Sequence, residues 1–240
     1  MSIKNAITDA TIEALSRNFF KEAASYGFRY EHYLKFVNTL LDQALNVNGI
    51  IDNKTVSDVL YAEVSELKLP INSAKFGIRE YDKKTDFNLL KKWLEDDYGK
   101  YFLYSTMTST EISVEKLIHD PKNFIGVIIL PDGEEIGLMA YLNWDKSQKK
   151  AELRKIIGNP SLRGKGYGKE ATRLWISYGK NTLKLRKIYL YTLETNLRNI
   201  KLNEELGFKV EGILRNEILI DKVSHDVLRM GLVFESSPKI

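Results

Sequence analysis

Three glycines are interspersed with three basic residues over residues 163–169 of the segment "NPSLRGKGYGKEATRLW", which spans residues 159–175. The glycines are Gly164, Gly166 and Gly168, and the basic residues are Arg163, Lys165 and Lys169. A loop that enters a helix presents free backbone N–H groups at the positive end of the helix dipole, and glycine lets that backbone approach a ligand closely. Together with the cations, such a loop is a candidate cradle for a phosphate or pyrophosphate.

The spacing of the glycines excludes two common nucleotide-binding loops. A Walker A loop has one residue fewer between Gly158 and Gly164, and it carries Ser or Thr where this chain has Gly166. The dinucleotide fingerprint runs G-x-G-x-x-G, whereas the glycines here run G-x-G-x-G. What remains is either an anion cradle of another kind or a tight strand–helix connection with solvated cations.

The pattern around this loop predicts the elements that position it. "AELRKIIG", residues 151–158, reads as a strand that runs directly into the loop, and a helix over 169–183 follows it. Further along, the strand "RKIYLYTL" precedes a helix in "TNLRNIKLNEELGF" that Gly207 closes, and two more strands follow. Upstream, "PDGE" joins two strands as a hairpin. Strands and helices therefore mix, which predicts an α/β fold.

Residues 1–74 have a different character. Three amphipathic helices are predicted there, because apolar residues such as Ile12 and Phe19 recur at helical spacing. "KLPINSAK", residues 68–75, resembles a linker. We therefore expect a small all-α domain over residues 1–74 and an α/β domain over residues 75–240.

Charge is distributed unevenly between these two parts. Residues 1–74 carry seven Lys or Arg and nine Asp or Glu, whereas the rest of the chain carries 29 and 23. A basic C-terminal part suits an anionic ligand, although solubility alone explains it equally well. The net charge of +4 is too small, and the charges are too interspersed, to favour a nucleic-acid partner.

Composition excludes several kinds of chemistry. The chain contains no cysteine, so it has no disulfide, thiol nucleophile or thiolate metal ligand. Its three histidines are not at metal-ligand spacing, and no metal is expected. No apolar signal segment and no run of membrane-spanning length occurs in the sequence, which favours a cytoplasmic protein without a membrane partner.

Three motifs in order carry a family resemblance. Arg163–Gly168 fits R-x-x-G-x-G, and "TNLRNIKLNEELGFKVEG" and "HDVLRMGLV" follow at the expected distances. Over roughly residues 76–234 the sequence resembles the GNAT superfamily of acyl-CoA N-acyltransferases, nearest to the ribosomal-protein-alanine and spermidine acetyltransferases. The resemblance implies a mixed, mostly antiparallel sheet flanked by helices, acetyl-CoA as co-substrate, and a glycine-rich loop that holds the pyrophosphate of coenzyme A.

The resemblance also implies a donor site. The strand end around Ile156 and Ile157 would offer backbone groups to the pantetheine arm. Asn196 would contact that arm too, although capping the following helix explains an asparagine there equally well. The residues that would line the pyrophosphate site with their amides, or open the helix behind it, are Arg163, Gly164, Lys165, Gly166, Tyr167, Gly168 and Lys169.

Acetyl transfer needs a base, because only a neutral amine attacks a thioester. Glu152 is the best candidate in the sequence, since it lies where histone-acetyltransferase relatives have a catalytic glutamate. The alternative to a catalytic role is that Glu152 forms an ion pair with Arg154, whose side chain lies on the same face of the strand. Tyr191 and Glu194, at the end of the next strand, are lesser candidates.

One position departs from the family pattern. Many relatives carry a tyrosine four residues before the position of Gly207, and that tyrosine protonates the leaving thiolate; this chain has Asn203 there. An amide donates a hydrogen bond but is not an acid at neutral pH. Asn203 is therefore expected beside the donor, while the general acid is unassigned. Members of the ribosomal alanine branch often lack the tyrosine as well.

We therefore expect an N-acetyltransferase that moves acetyl from acetyl-CoA to a primary amine by direct attack in a ternary complex. The acceptor is a small-molecule amine or a protein N-terminus, and "EDD" at residues 95–97 is only a hint of a polyamine. The alternative is a non-catalytic acyl-CoA-binding regulator, in which Asn203 marks a lost acid. The N-terminal domain could recognise the acceptor, cover the cleft or form a homodimer.

Overall fold

The computed structural model describes most of the chain. The described residues are 8–29, seven positions between 32 and 43, residue 61, and 66–95, 104–105, 110–111, 113–193, 195–220 and 222–234. The chain divides into two compact units, Met1–Asp52 and Asn53–Ile240.

The first unit is helical where it is described. Helix α1 covers Asp9–Ser25, and it begins after Thr8, whose side chain accepts a backbone hydrogen bond as an N-cap. The described positions from 32 to 43 are helical as well. The first predicted helix is thus confirmed, whereas the third, at residues 55–67, lies largely outside the described residues.

The second unit starts earlier in the chain than the boundary at residues 74 and 75 that the sequence predicts. Ile71–Asn72 form a short strand, β1, which pairs antiparallel with β2, Gly77–Glu80. Tyr61 is buried in the same unit, and its hydroxyl donates to the Leu206 carbonyl oxygen at 3.1 Å. The interpretation of residues 68–75 as a linker is therefore wrong. A two-residue strand shows no periodicity by which it could be recognised.

The remaining elements follow the predicted order. The strands and helices on either side of the glycine-rich loop begin and end within two residues of their predicted bounds. In chain order the elements are α2 (Phe87–Glu95), β3 (Tyr104–Ser105), β4 (Thr110–Glu111), α3 (Val114–His119), β5 (Phe124–Ile129), β6 (Glu135–Asp145), β7 (Lys150–Ile157), α4 (Tyr167–Asn181), β8 (Lys187–Leu193), α5 (Leu197–Glu205), β9 (Lys209–Ile220) and β10 (Val223–Val233).

Within the described residues, eight strands form one sheet in the order β1-β2-β5-β6-β7-β8-β10-β9. Neighbouring strands in this sheet are antiparallel except β7 and β8, which run parallel. Helix α4 forms the crossover that parallel neighbours require. The short strands β3 and β4 pair separately. The sheet is thus mixed and mostly antiparallel, as the sequence predicts.

Helices cover both faces of this sheet. On one face, α4 and α5 pack against a cluster that includes Leu153 and Trp175. On the other face, α2 and α3 pack against a cluster that includes Leu90 and Ile156. Because side chains alternate along β7, Leu153 and Ile156 enter opposite clusters. The glycine-rich loop therefore follows a strand that is buried on both faces, which fixes where the loop begins.

Candidate active site

Strands β7 and β8 are in contact over only three residue pairs. The last pair is Glu152 with Tyr189, and beyond it the two strands have no further pairing along their described lengths. β7 stays paired with β6, and β8 with β10, over the rest of their lengths. The sheet therefore splits between residues 153–157 of β7 and 190–193 of β8. We call this opening the gap; its inner end is at Glu152.

The edge of β7 that lines the gap carries polar backbone groups. The Gly158 amide donates to the Ile136 carbonyl oxygen at 2.9 Å, at the start of β6, and the backbone groups of alternate residues point to the same edge. Those of Ile156 therefore face β6, whereas those of Lys155 and Ile157 face the gap. Of the two isoleucines predicted to meet a pantetheine arm, Ile157 has the required orientation and Ile156 does not.

The loop after β7 is held in place by its own side chains. Pro160–Leu162 form a 3-10 turn that Asn159 caps. The guanidinium of Arg163 folds back onto the strand end, where Nε donates to the Ile157 carbonyl oxygen at 2.8 Å and Nη2 to that of Gly158 at 3.3 Å. Arg163 thus tethers the loop to β7.

Glycines give the loop backbone its shape. Gly164 and Gly166 have φ of +82° and +92°, in the left-handed region that side chains rarely adopt. Gly166 is the N-cap of α4, and no side chain caps this helix. The amides of residues 164–169 find no acceptor among the described residues, whereas the Arg163 amide donates to the Pro160 carbonyl oxygen at 3.2 Å. Six backbone donors are therefore available at the positive end of α4.

The basic side chains near the loop are not all the ones that the sequence indicates. Lys165 is exposed. Lys169 pairs instead with Glu205 at 2.6 Å, which links α4 to α5. Arg198, a residue that sequence analysis missed, approaches the loop from α5: a methyl group at Gly164 would lie 3.3 Å from its Nη2. Only the folded chain reveals this approach, because the two residues belong to different elements.

Asn196 caps α5. Its side-chain oxygen accepts from the Asn199 amide at 3.2 Å, and the Asn199 side chain donates to Thr192 Oγ1 on β8 at 3.1 Å. The capping role that sequence analysis considered is thus present. Asn196 itself is exposed, so the predicted contact with a donor stays a prediction.

Glu152 is buried at the inner end of the gap, with 1% of its surface exposed. Its Oε1 accepts from Arg154 Nε at 2.6 Å, and its Oε2 accepts from Asn143 Nδ2 at 3.0 Å. The ion pair that sequence analysis weighed against catalysis is therefore present, and both carboxylate oxygens are engaged. Each oxygen keeps a second lone pair that can accept a proton.

Tyr189 lies opposite Glu152 across the last strand pair. Burial, and after it the charge of Glu152, raises the pKa of the Tyr189 hydroxyl to about 12, so the phenol stays protonated at neutral pH. The Arg229 guanidinium lies 4.6 Å from the centroid of its ring, and Tyr191 meets the same ring edge-on. Glu194, the other candidate on this strand, lies outside the described residues.

On the opposite face of β7, a partly buried lysine reaches α5. Lys155 Nζ donates to Asn203 Oδ1 at 2.6 Å. Asn203 is fully buried, and its Nδ2 has no hydrogen-bond partner among the described residues. Burial lowers the pKa of Lys155 to about 7. Sequence analysis missed Lys155, although alternation places it on the same strand face as Leu153 and Ile157, where a charged side chain is uncommon.

A cavity of about 570 Å³ adjoins the inner end of the gap, because Asn143 and Tyr189 line it. Its other lining residues are Pro121, Lys122, Trp144, Asp145, Lys146 and Lys150. Three of these are lysines and one is an aspartate, so positive charge predominates. The acidic stretch at residues 95–97, which hinted at a polyamine, has no described side chains.

Neither a metal site nor a membrane span occurs in the described part of the chain. No group of three or more His, Cys, Asp or Glu there is arranged to hold a metal ion. None of the described helices is long and apolar enough to cross a membrane. Carboxylates near the loop and the gap pair with basic side chains, as Glu205 does with Lys169 and Glu152 with Arg154.

Two bacterial acetyltransferases are similar in sequence to about 60% of this chain. Spermidine N(1)-acetyltransferase from Escherichia coli (strain K12) is 31% identical over 143 residues, which cover 60% of this chain and 73% of that protein. The putative ribosomal N-acetyltransferase YdaF from Bacillus subtilis (strain 168) is 27% identical over 150 residues, which cover 60% of this chain and 78% of that protein.

Solved acetyltransferase structures resemble this chain, and a family model matches it. A chimera of spermidine N-acetyltransferase SpeG from Vibrio cholerae and hSSAT has a TM-score of 0.56 at 26% identity, over 67% of this chain and 96% of that one. Spermidine/spermine N-acetyltransferase SpeG from the same organism, in complex with manganese ions, gives 0.56 at 25% identity, over 67% and 93%. Residues 75–209 match the Acetyltransferase (GNAT) domain. The chain therefore belongs to the GNAT family of acetyltransferases.

Proposed function

We propose that this GNAT acetyltransferase takes its acetyl group from acetyl-CoA and passes it to a primary amine by direct attack in a ternary complex. The observation that carries the proposal is a set of six amides, residues 164–169, that find no acceptor in the described part of the chain, where the loop meets both α4 and the gap. Amides at the positive end of a helix bind phosphate groups. A diphosphate on these amides would stand at the outer end of the gap.

Charge around the amides supports a diphosphate ligand. Lys165 is exposed, and Arg198 lies against Gly164. The open edge of β7 then offers the Ile157 amide and the backbone groups of Lys155 to an extended arm that enters the gap, while the Ile157 carbonyl oxygen accepts from Arg163. Acetyl-CoA would supply an acetyl group activated as a thioester, at the end of just such an arm.

Direct transfer is favoured by composition. The chain has no cysteine, so the most reactive nucleophile for a covalent acetyl-enzyme is absent. The acceptor nitrogen must then attack the thioester itself, and it must lose a proton to do so. We propose that Glu152 takes this proton. Its contact with the neutral amide of Asn143 is the weaker of its two, because the bond from Arg154 is charge-assisted.

The acceptor would reach Glu152 from the cavity that Asn143 and Tyr189 line. The names of the relatives make spermidine the first amine to test. The lysines around this cavity, however, repel a polycation. A peptide N-terminus, which carries one amine and an uncharged backbone, suits the cavity better.

A non-catalytic acyl-CoA-binding regulator is the second candidate. The observation that favours it is Asn203, a fully buried amide at the position where many relatives have an acidic tyrosine. Both candidates require coenzyme A to bind at residues 164–169. They differ in whether an amine is acetylated.

Release of coenzyme A from acetyl-CoA, detected with a thiol-reactive dye, separates the two candidates. The chain has no cysteine and so gives no background. The amine panel holds spermidine, peptides that start with Ala or Ser, and amino sugars. We expect release with one amine class, and a strong loss of turnover without loss of coenzyme A binding in Glu152→Gln. Glu115→Gln, a change to an exposed carboxylate on α3, is the control.

Two other outcomes are informative. Coenzyme A binding by calorimetry without turnover on any amine would favour the regulator. Absence of coenzyme A binding would contradict both candidates.

A further inference from the structure

We propose that Lys155 protonates the thiolate of coenzyme A as it leaves, with Asn203 holding the lysine in position. The inference rests on the proposed transfer from acetyl-CoA. It assigns the general acid that the replacement of a tyrosine by Asn203 leaves open, and it assigns it to a different element, strand β7.

The position of Lys155 follows from the shape of the gap. An arm that enters beside residues 164–169 runs along the open edge of β7 and must stop before Glu152, where β7 and β8 pair. Lys155 lies between these limits, and its backbone groups face the gap. Its side chain is on the sheet face covered by α5, since Nζ bonds Asn203 there. Lys155 therefore adjoins the end of the gap where the thioester would lie.

Among the described residues, no carboxylate pairs with the Lys155 ammonium. On its own strand face the neighbours Leu153 and Ile157 are apolar, and across β6 it pairs with Met139. On β8 the same face presents Leu190 and Thr192. Along α5, the charged residues within two positions of Asn203 are Lys201, Glu204 and Glu205.

Neither glutamate on α5 neutralises the lysine. Glu205 is paired with Lys169 at 2.6 Å, and the charge of Glu204 makes no contribution to the pKa of Lys155, which burial alone lowers. The Glu152–Arg154 pair lies on the opposite strand face. Burial alone thus lowers the pKa of Lys155, to about 7. A pKa near the working pH is the best value for a general acid, because the group is then protonated in part and also gives up its proton readily.

Asn203 completes the arrangement. Its Oδ1 accepts from Lys155, which orients the ammonium, while its buried Nδ2 has no partner among the described residues. An unpartnered buried donor is costly unless a ligand satisfies it. A sulfur atom that carries negative charge is one such acceptor, so Lys155 Nζ and Asn203 Nδ2 form a pair of donors beside the gap.

The step balances in atoms and charge. The acceptor nitrogen forms a bond to the acetyl carbon, and the carbon–sulfur bond breaks with its electron pair going to sulfur. The Lys155 ammonium gives one proton to that sulfur, so coenzyme A leaves as the thiol and the lysine becomes neutral. The proton lost by the acceptor nitrogen goes to Glu152 and then to water, and Lys155 regains a proton from water before the next turnover.

The test is the pKa of the coenzyme A thiol when it is bound, measured from the ultraviolet absorbance of the thiolate. No cysteine contributes to this signal, and tyrosine side chains ionise only at higher pH. Wild type is compared with Lys155→Met and with Lys155→Met/Asn203→Leu, which removes both polar partners together. Lys187→Met is the matched control, since it removes a half-buried lysine on β8 that pairs with Glu211.

We expect wild type and Lys187→Met to lower the thiol pKa by about 1–2 units relative to the two Lys155 variants, because a nearby ammonium favours the thiolate. Bound coenzyme A whose thiol titrates alike in all four proteins would overturn the inference and leave the proposed function standing. No coenzyme A binding by wild type would overturn both. A thiol shift without turnover on any amine would place Lys155 beside the sulfur but contradict both the proposed acetyl transfer and the protonation step that rests on it.

Turnover gives a second readout. In wild type, kcat should fall as pH rises through about 7, because Lys155 loses its proton there. Lys155→Arg keeps a positive charge that does not titrate, so this loss should vanish in that variant even if its activity is lower. A fall through pH 7 that persists in Lys155→Arg would assign it to another group and contradict the proposal.

Discussion

Nε of Arg163 lies 2.8 Å from the carbonyl oxygen of Ile157, so the loop with six available amides is bonded to the very strand that it follows. The guanidinium also reaches the Gly158 carbonyl oxygen at 3.3 Å. These two hydrogen bonds therefore hold the loop backbone in place, and the positive potential near the amides comes from Lys165 and Arg198.

Arg163→Lys should weaken coenzyme A binding about tenfold. Lysine keeps the charge but cannot make the two directed contacts of the planar guanidinium, so the amides lose their fixed arrangement. Lys165→Arg is the matched control, because it exchanges the same two residue types at an exposed site, and it should bind as wild type does. Calorimetry measures both dissociation constants. Binding by Arg163→Lys that equals that of wild type would mean that Arg163 acts through its charge alone, and equal weakening in the two variants would contradict a specific role for the guanidinium contacts.

Gly166→Ala should lower the free energy of unfolding by about 1–2 kcal/mol, because a side chain at φ +92° is strained. Gly168→Ala is the comparison. Gly168 belongs to α4, and a methyl group there would lie 3.7 Å from the Ile157 side chain, an ordinary contact. Alanine in a helix should leave stability unchanged or raise it slightly. Denaturant unfolding measures both, and equal losses would contradict the assigned backbone conformation.

Arg154→Met should lower the free energy of unfolding by about 3–5 kcal/mol, because it leaves the buried Glu152 carboxylate without its cation. Glu152→Gln/Arg154→Met should recover a good part of that loss, since no buried charge then lacks a partner. Urea unfolding of wild type, both single variants and the double variant gives the coupling. Losses that simply add would show that the two side chains do not stabilise each other.

Stability should depend on pH through Lys155. Its folded pKa of about 7 lies below the ordinary 10.5. Below pH 7 both the folded and the unfolded chain hold the proton, so the folded state bears the full free-energy cost of burying the charge. Between pH 7 and 10.5 the unfolded chain binds more protons, so the free energy of unfolding rises with pH. Relative to Lys155→Met, we expect wild type to gain about 2 kcal/mol, since partial exposure screens the roughly 5 kcal/mol of the full shift.

Chemical unfolding at pH 6 and pH 9.5 measures this gain. Lys187→Met serves as the comparison, because its lysine is paired with Glu211 and its replacement removes the same charge. A difference between wild type and Lys155→Met that stays constant with pH would contradict the lowered pKa.

The sequence predicts most of the sheet because its strands are long and bounded by turns. "PDGE" marks the hairpin between β5 and β6, where Gly133 has φ of +92°, and Gly207 closes α5 with φ of +89°. Motif spacing likewise predicts the glycine-rich loop and its place between β7 and α4. These features are local, so a one-dimensional pattern is enough to find them.

Other features depend on contacts between distant segments. Arg198 meets the loop only because α5 folds next to it, and Tyr61 joins the core through Leu206. Whether Ile156 or Ile157 faces the gap depends on which edge of β7 pairs with β6, which no side-chain pattern encodes. Lys155 could have been noticed, since it interrupts the apolar face of its strand.

The split between β7 and β8 has a mechanical consequence. Because these strands share three residue pairs, few backbone hydrogen bonds join the block β1-β2-β5-β6-β7 to the block β8-β10-β9, although the two blocks share one hydrophobic cluster to which Leu153 and Leu190 both belong. A ligand lying in the gap would act as a surrogate strand that bridges them. Amide hydrogen exchange of Lys155 and Ile157, and of the facing residues of β8, would then slow on ligand binding.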